Sequence, residues 1–74
     1  MKLFGHQEGT DNNRPIRLKE VAIATDPATL RLLARFLHFV ADRMQSEGQA
    51  FGHEHFEDFD PAAPAEPSLI VTTD

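Results

Sequence analysis

DPATLRLLARFLHFVADRMQSEG, residues 26–48, is the one long helical pattern in the chain, and its reading decides the fold. Asp26 stands where an N-cap carboxylate accepts hydrogen bonds from the free N–H groups of a first helical turn. Pro27 suits the first helical position, which has no intrahelical N–H bond to lose. Gly48 marks the other end as a residue able to turn left-handed. Between them, Leu30, Leu33, Ala34, Leu37, Val40, Ala41 and Met44 recur at the i, i+3, i+4, i+7 spacing of one buried face. Leu32, Phe36 and Phe39 fall outside it. At roughly 100° per residue they widen the apolar arc to about 220° and leave Arg31, Arg35, His38 and Asp42 as a narrow polar strip. A single sheet covers an arc only a little over about 100° wide, so Leu32, Phe36 and Phe39 need a second cover. Two are expected. One is the C-terminal loop, with Phe51, Phe59 and the Pro/Ala segment; the other is a homodimer whose helices pair through these three residues.

Outward from the helix, both flanks read as strands. Residues 2–6, KLFGH, make a short first strand, and QEGTDNNRP is turn composition, longer than a tight two-residue hairpin. Residues 16–25, IRLKEVAIAT, form a second strand rich in branched residues. Its phase flips midway: Ile16 and Leu18 alternate on one side, Val21 and Ile23 on the other. A bulge near Lys19 and Glu20 would bring all four to the core. Beyond the helix, residues 51–59, FGHEHFEDF, can extend as a third strand with His53, His55 and Glu57 on one side and Glu54, Phe56 and Asp58 on the other. Neither side is cleanly apolar, which suits an edge strand or one with a functional face. Pro61, Pro64 and Pro67 make an irregular connector. Residues 68–72, SLIVT, close the chain as a strand whose continuous Leu69-Ile70-Val71 run predicts cover on both faces. The sum is β-β-α-β-β, an α+β domain spanning residues 1–74 in which a four-stranded, mostly antiparallel sheet packs on one long helix.

At 74 residues the chain is one small domain, close to the size at which oligomerisation often supplements a marginal core. It has no Cys, Trp or Tyr, so disulfides and thiolate metal sites are excluded and six Phe carry the aromatic bulk. The N-terminal MKLFGHQEG has no long apolar run and nothing approaches the ~20 apolar residues of a membrane span, which predicts a cytoplasmic protein with no membrane partner. Charge is unevenly placed. All seven bases lie between Lys2 and Arg43 beside five acids, whereas residues 47–74 hold seven acids and no base. An acidic second half repels nucleic-acid phosphates and suits a basic protein partner.

The one concentration of chemically capable side chains is His53, Glu54, His55, Glu57 and Asp58, read here as a partner-binding segment. On a continuous strand His53, His55 and Glu57 would point the same way and could ligate zinc or a similar ion, so a small metal-binding protein is the alternative reading. A short H-x-H with no further ligand set is more simply a packed and hydrogen-bonded polar strip. The triplet Phe4-Gly5-His6 recurs as Phe51-Gly52-His53, and His6 would join the cluster if those strands adjoined. Ser46 and Ser68 have no His neighbour or Gly elbow, and no Gly-rich phosphate loop is present, so hydrolase and nucleotide chemistry have no carrier and no cofactor is expected.

Taken together, Lys19-Glu20-Val21, Asp26-Pro27 with Leu30, Ala34, Phe36 and Leu37, then His53-Glu54-His55-Phe56 with Asp58, and the terminal Leu69-Ile70-Val71 resemble a family of small bacterial immunity proteins from polymorphic toxin systems, the group numbered thirty-two. The resemblance covers most of residues 19–71. It implies a protein that binds and neutralises a cognate toxin without catalysis of its own, and it carries over no binding residues.

Overall fold

The computed structural model describes residues 1–7 and 16–74. The turn expected at QEGTDNNRP lies outside the described residues apart from Gln7. Helix α1 runs Pro27–Glu47 with both ends as the sequence predicts. Asp26 is extended, at φ −104° and ψ 166°. Its Oδ1 accepts the Thr29 N–H at 2.8 Å, and its Oδ2 accepts the Thr29 hydroxyl at 2.9 Å. The Thr29 amide bond holds the Asp26 carboxyl below its ordinary range. Gly48 turns left-handed at φ 57° and donates its N–H to the Met44 carbonyl, stopping the helix where a residue with a Cβ would be strained.

The helix buries a different side from the one its spacing favours. Leu32, Leu33, Phe36 and Val40 are the buried residues, with Met44 packed against them. Leu30, Ala34, Leu37 and Ala41 are exposed. The reason is the cover. Phe51, Phe56 and Ala63 are buried with the helix residues, and Phe59, Leu69 and Val71 pack around them. The Phe36 ring sits 5.2 Å from Phe56 and 5.5 Å from Phe59, and Phe39 stacks 5.3 Å from Phe59. Three aromatic rings from the C-terminal third outweigh the narrower aliphatic stripe, and α1 turns toward them.

That C-terminal third corrects two expectations. A 3₁₀ turn over Gly48–Ala50 leads to β3, which covers only His53–His55, and the chain then coils into a short helix α2, Phe56–Phe59. An extended strand would send Phe56 to the side opposite Phe51 and Phe59; the helical turn brings all three inward. β4, Ile70–Thr72, pairs antiparallel with β3 through His53↔Thr72, Glu54↔Val71 and His55↔Ile70. The Phe56 N–H continues the ladder to the Leu69 carbonyl at 2.9 Å. Only one face of β4 is covered, since Leu69 and Val71 meet the core while Ile70 is 49% exposed. Between α2 and β4, Asp60 folds the connector: its Oδ1 accepts the Ala62 N–H and its carbonyl accepts the Ala63 N–H, which places Ala63 inside. The Glu66–Pro67 peptide is cis.

β1 (Lys2–Gln7) and β2 (Leu18–Ala24) form a separate antiparallel hairpin. Its register passes from His6↔Glu20 to Gln7↔Leu18, so Lys19 is the extra residue of a bulge at the position where the sequence changes phase. The bulge puts Leu18, Val21 and Ile23 on the face shared with Leu3, yet every residue of β2 is exposed. One four-stranded sheet is therefore replaced by two two-stranded sheets, β1-β2 and β3-β4, while the α+β class stands. β3 pairs with β4 and the buried side of α1 faces the C-terminal segment, so the hairpin joins neither. The molecule measures 36 × 33 × 16 Å with a radius of gyration of 13.7 Å, above the ~11 Å of a compact chain this long. No described helix is long and apolar enough to cross a membrane.

Candidate functional site

The expected partner-binding segment lies on β3 and α2, at the edge of the buried cluster. His53 and Asp58 are exposed, while Glu54, His55 and Glu57 are half-buried. Glu54 is held by Arg43 of α1, which sequence reasoning did not single out. Its Nε donates to Glu47 Oε2 at 2.6 Å, its Nη1 donates to Glu54 Oε1, and the guanidinium stands 5.7 Å from the Phe39 ring centre. The Glu47 bond is an i, i+4 pair visible in the sequence; the Glu54 bond joins helix to strand across eleven residues and is not. Hydrogen bonding to Glu47 raises the Arg43 pKa, and the same bond holds the Glu47 carboxyl below its ordinary range. Arg43 thereby couples α1 to β3 and occupies two of the seven C-terminal acids.

His53 and His55 point the same way, as two strand positions two apart must, with ring centres 5.1 Å apart in an edge-on arrangement. Glu57 does not continue their line, because it belongs to α2. It approaches from the helical turn instead: its Oε1 lies 3.4 Å from His55 Nδ1 and accepts the Ser68 hydroxyl at 3.4 Å. His55 Nδ1 and Glu57 Oε2 are buried and have no hydrogen-bond partner. An imidazolium at His55 would find an ion-pair partner in Glu57. Among the described residues no group of three or more His, Cys, Asp or Glu could hold a metal ion. The three-ligand reading of His53, His55 and Glu57 loses its geometry where the strand becomes helix.

Other candidate residues separate. His6 is on the hairpin, 3.7 Å from Glu20 and in a different sheet from His53, so the repeated Phe-Gly-His triplet does not converge. His38 is exposed on α1. Leu32 and Phe36, expected to self-associate, are 6% and 0% exposed, because the C-terminal segment covers them within the chain; Phe39 alone keeps an open side at 39%. The Ser46 hydroxyl donates to the Arg43 carbonyl and that of Ser68 to a carboxylate, so neither is paired with an imidazole base. A shallow cleft of about 350 Å³ lies between the first turns of α1 and the connector, lined by Ala28, Thr29, Leu32, Arg35, Asp60 and Ala62.

What the arrangement offers is a ridge of anionic and imidazole side chains. Past Arg43, Glu57, Asp58, Asp60, Glu66 and Asp74 follow along the chain with no base in residues 47–74. The family model described as Immunity protein 32 matches residues 20–73, from the middle of β2 through β4, and leaves β1 outside the match. No curated protein and no solved structure matches the chain.

Proposed function

The chain belongs to the Immunity protein 32 family, and from that premise we propose that it acts by holding a protein toxin rather than by catalysis. The family match over residues 20–73 is the observation that carries this reading. The charge distribution supports a basic toxin surface as the target. Arg43 neutralises the two acids nearest the helix, so the outward charge of the second half comes from Glu57 and Asp58 on α2 and from Asp60, Glu66 and Asp74 beyond it. His53 stands exposed beside them, and the two-stranded β3–β4 sheet keeps free edges for a partner's main chain. Charges at a contact rim act mainly on association rate, and their effect falls with salt. Neutralisation then follows from occlusion, with a tight complex covering the toxin's own catalytic or binding surface.

The test is co-expression with candidate toxins of polymorphic toxin systems, any found encoded beside this chain's gene taken first, followed by calorimetry on the purified pair. Survival of the co-expressing cells and binding that weakens as salt rises are the expected results. The double substitution Glu57→Lys, Asp58→Lys should lower affinity by at least about tenfold, mostly through a slower association rate. Cells that die despite soluble immunity protein would overturn the reading.

A further inference from the structure

Two apolar surfaces stay open among the described residues. On the hairpin, the Lys19 bulge gathers Leu18, Val21 and Ile23 beside Leu3, and these three are 48, 58 and 46% exposed. Gly5 makes the face smooth: a Cβ there would come within 2.7 Å of Leu18 Cδ1, so the absent side chain lets Leu18 lie across β1. On α1, Leu30, Ala34, Leu37 and Ala41 form a stripe turned roughly 120° around the helix from its buried side, with Leu30 and Leu37 at 52 and 46% exposure. Ala34, Leu37, His38 and Ala41 line a shallow depression there.

We propose that these surfaces cover each other between two copies of the chain, the hairpin of each lying across the α1 stripe of the other. Their shapes agree. Six paired strand positions extend about 20 Å, and the stripe from Leu30 to Ala41 about 16 Å. The small Ala34 and Ala41 leave the depression into which a branched Val21 or Ile23 fits. The layers agree as well. A molecule 16 Å thick has a hairpin with no helix on its apolar face and a helix with no sheet on its stripe, and a helix on a sheet face is the packing each lacks.

The chain's own hairpin does not take that place, since Leu18, Val21 and Ile23 stay exposed. Thr25 and Asp26 alone join β2 to α1. Asp26 is held extended as the helix cap. Size favours a reciprocal pair. Each surface is on the order of 300 Å²; a two-fold arrangement covers four of them, on the order of 1,200 Å², where specific interfaces begin.

Light scattering and sedimentation on the full chain, across concentrations, give the test. The expected result is a dimer that dissociates on dilution. Val21→Lys and Leu37→Glu should each weaken self-association by at least about a hundredfold, and far-UV circular dichroism should stay unchanged because both positions are outside the core. An equimolar mixture of the two variants should dimerise again. In that pair one contact sets Lys against Glu and the other is wild type on both sides. A monomer at every concentration would overturn the proposal and leave both surfaces to a different partner. A dimer that tolerates Val21→Lys, or a mixture that does not recover, would overturn it in favour of another self-contact. The experiment uses the chain alone, so its failure is separate from any failure of toxin binding.

Discussion

Neighbouring residues on α1 have opposite stakes in this fold. Phe36 is fully buried between Phe56 and Phe59, whereas Leu37, one position on, is 46% exposed. Phe36→Ala should cost about 3–5 kcal/mol, a large part of the roughly 4–11 kcal/mol expected of a domain this size. Leu37→Ala should cost under about 1 kcal/mol when measured in a Val21→Lys background, where self-association makes no contribution. Urea unfolding followed by circular dichroism separates the two, and equal losses would contradict the packing described. Arg43 is the second residue with a role beyond its neighbours. Its bond to Glu47 lowers the carboxyl's pKa, and Asp26 is lowered by the cap. A carboxyl depressed in the folded state contributes stability that is present above its unfolded pKa of about 4 and is lost as pH falls through the lower folded value. The melting temperature should therefore fall as pH drops below about 4. In Arg43→Met, Glu47 should titrate closer to its ordinary range, as read by carboxyl NMR, and the acid-side fall should be shallower. An unchanged Glu47 titration would remove Arg43 as the cause.

The elements differ in what holds them. α1 carries its own start and stop signals, so its ends answer to local changes: Asp26→Ala should speed hydrogen exchange at the Thr29 amide, and Asp26→Ser should restore most of the protection, because a hydroxyl also accepts at the N-cap. Loss of protection in both variants would show that the cap is not what fixes the first turn. β3 and α2 depend on each other instead. Three residues of strand are too few to persist alone, and they are held by β4, by the Arg43–Glu54 bond and by Phe56 turning into the core. The β1–β2 hairpin has a regular ladder and a bulge but no buried side chain on β2. An isolated two-stranded ribbon is marginal in water, so its amides should exchange faster than those of α1 in the Val21→Lys variant and gain protection in the wild-type chain if it pairs as proposed above.

For the whole molecule, the standing hairpin has a measurable consequence. Small-angle scattering of the Val21→Lys variant should give a radius of gyration near that of the structure, 13.7 Å from Cα positions, and clearly above the ~11 Å of a compact 74-residue domain. A value at the compact figure would mean that the hairpin folds back on its own chain. Read alone, the sequence determined the helix from Asp26 to Gly48 with both caps, the phase break at Lys19, the division of charge around Arg43, and the segments that place the chain in its family. Each depends on residues close together along the chain, where capping geometry and period act directly. It could not choose which side of α1 is buried, because an apolar arc about 220° wide has no single direction until something packs on it. Nor could it foresee that FGHEHFEDF breaks into strand and helix, since local alternation permitted a strand and only the pull of Phe36 on Phe56 and Phe59 favours the turn. The pairing of β3 with β4 apart from β1 and β2, and the Arg43–Glu54 tie beside His55 and Glu57, were likewise decided by the tertiary structure. Contacts between residues distant in the chain are selected by the packing of the whole core, and no spacing along one segment records them.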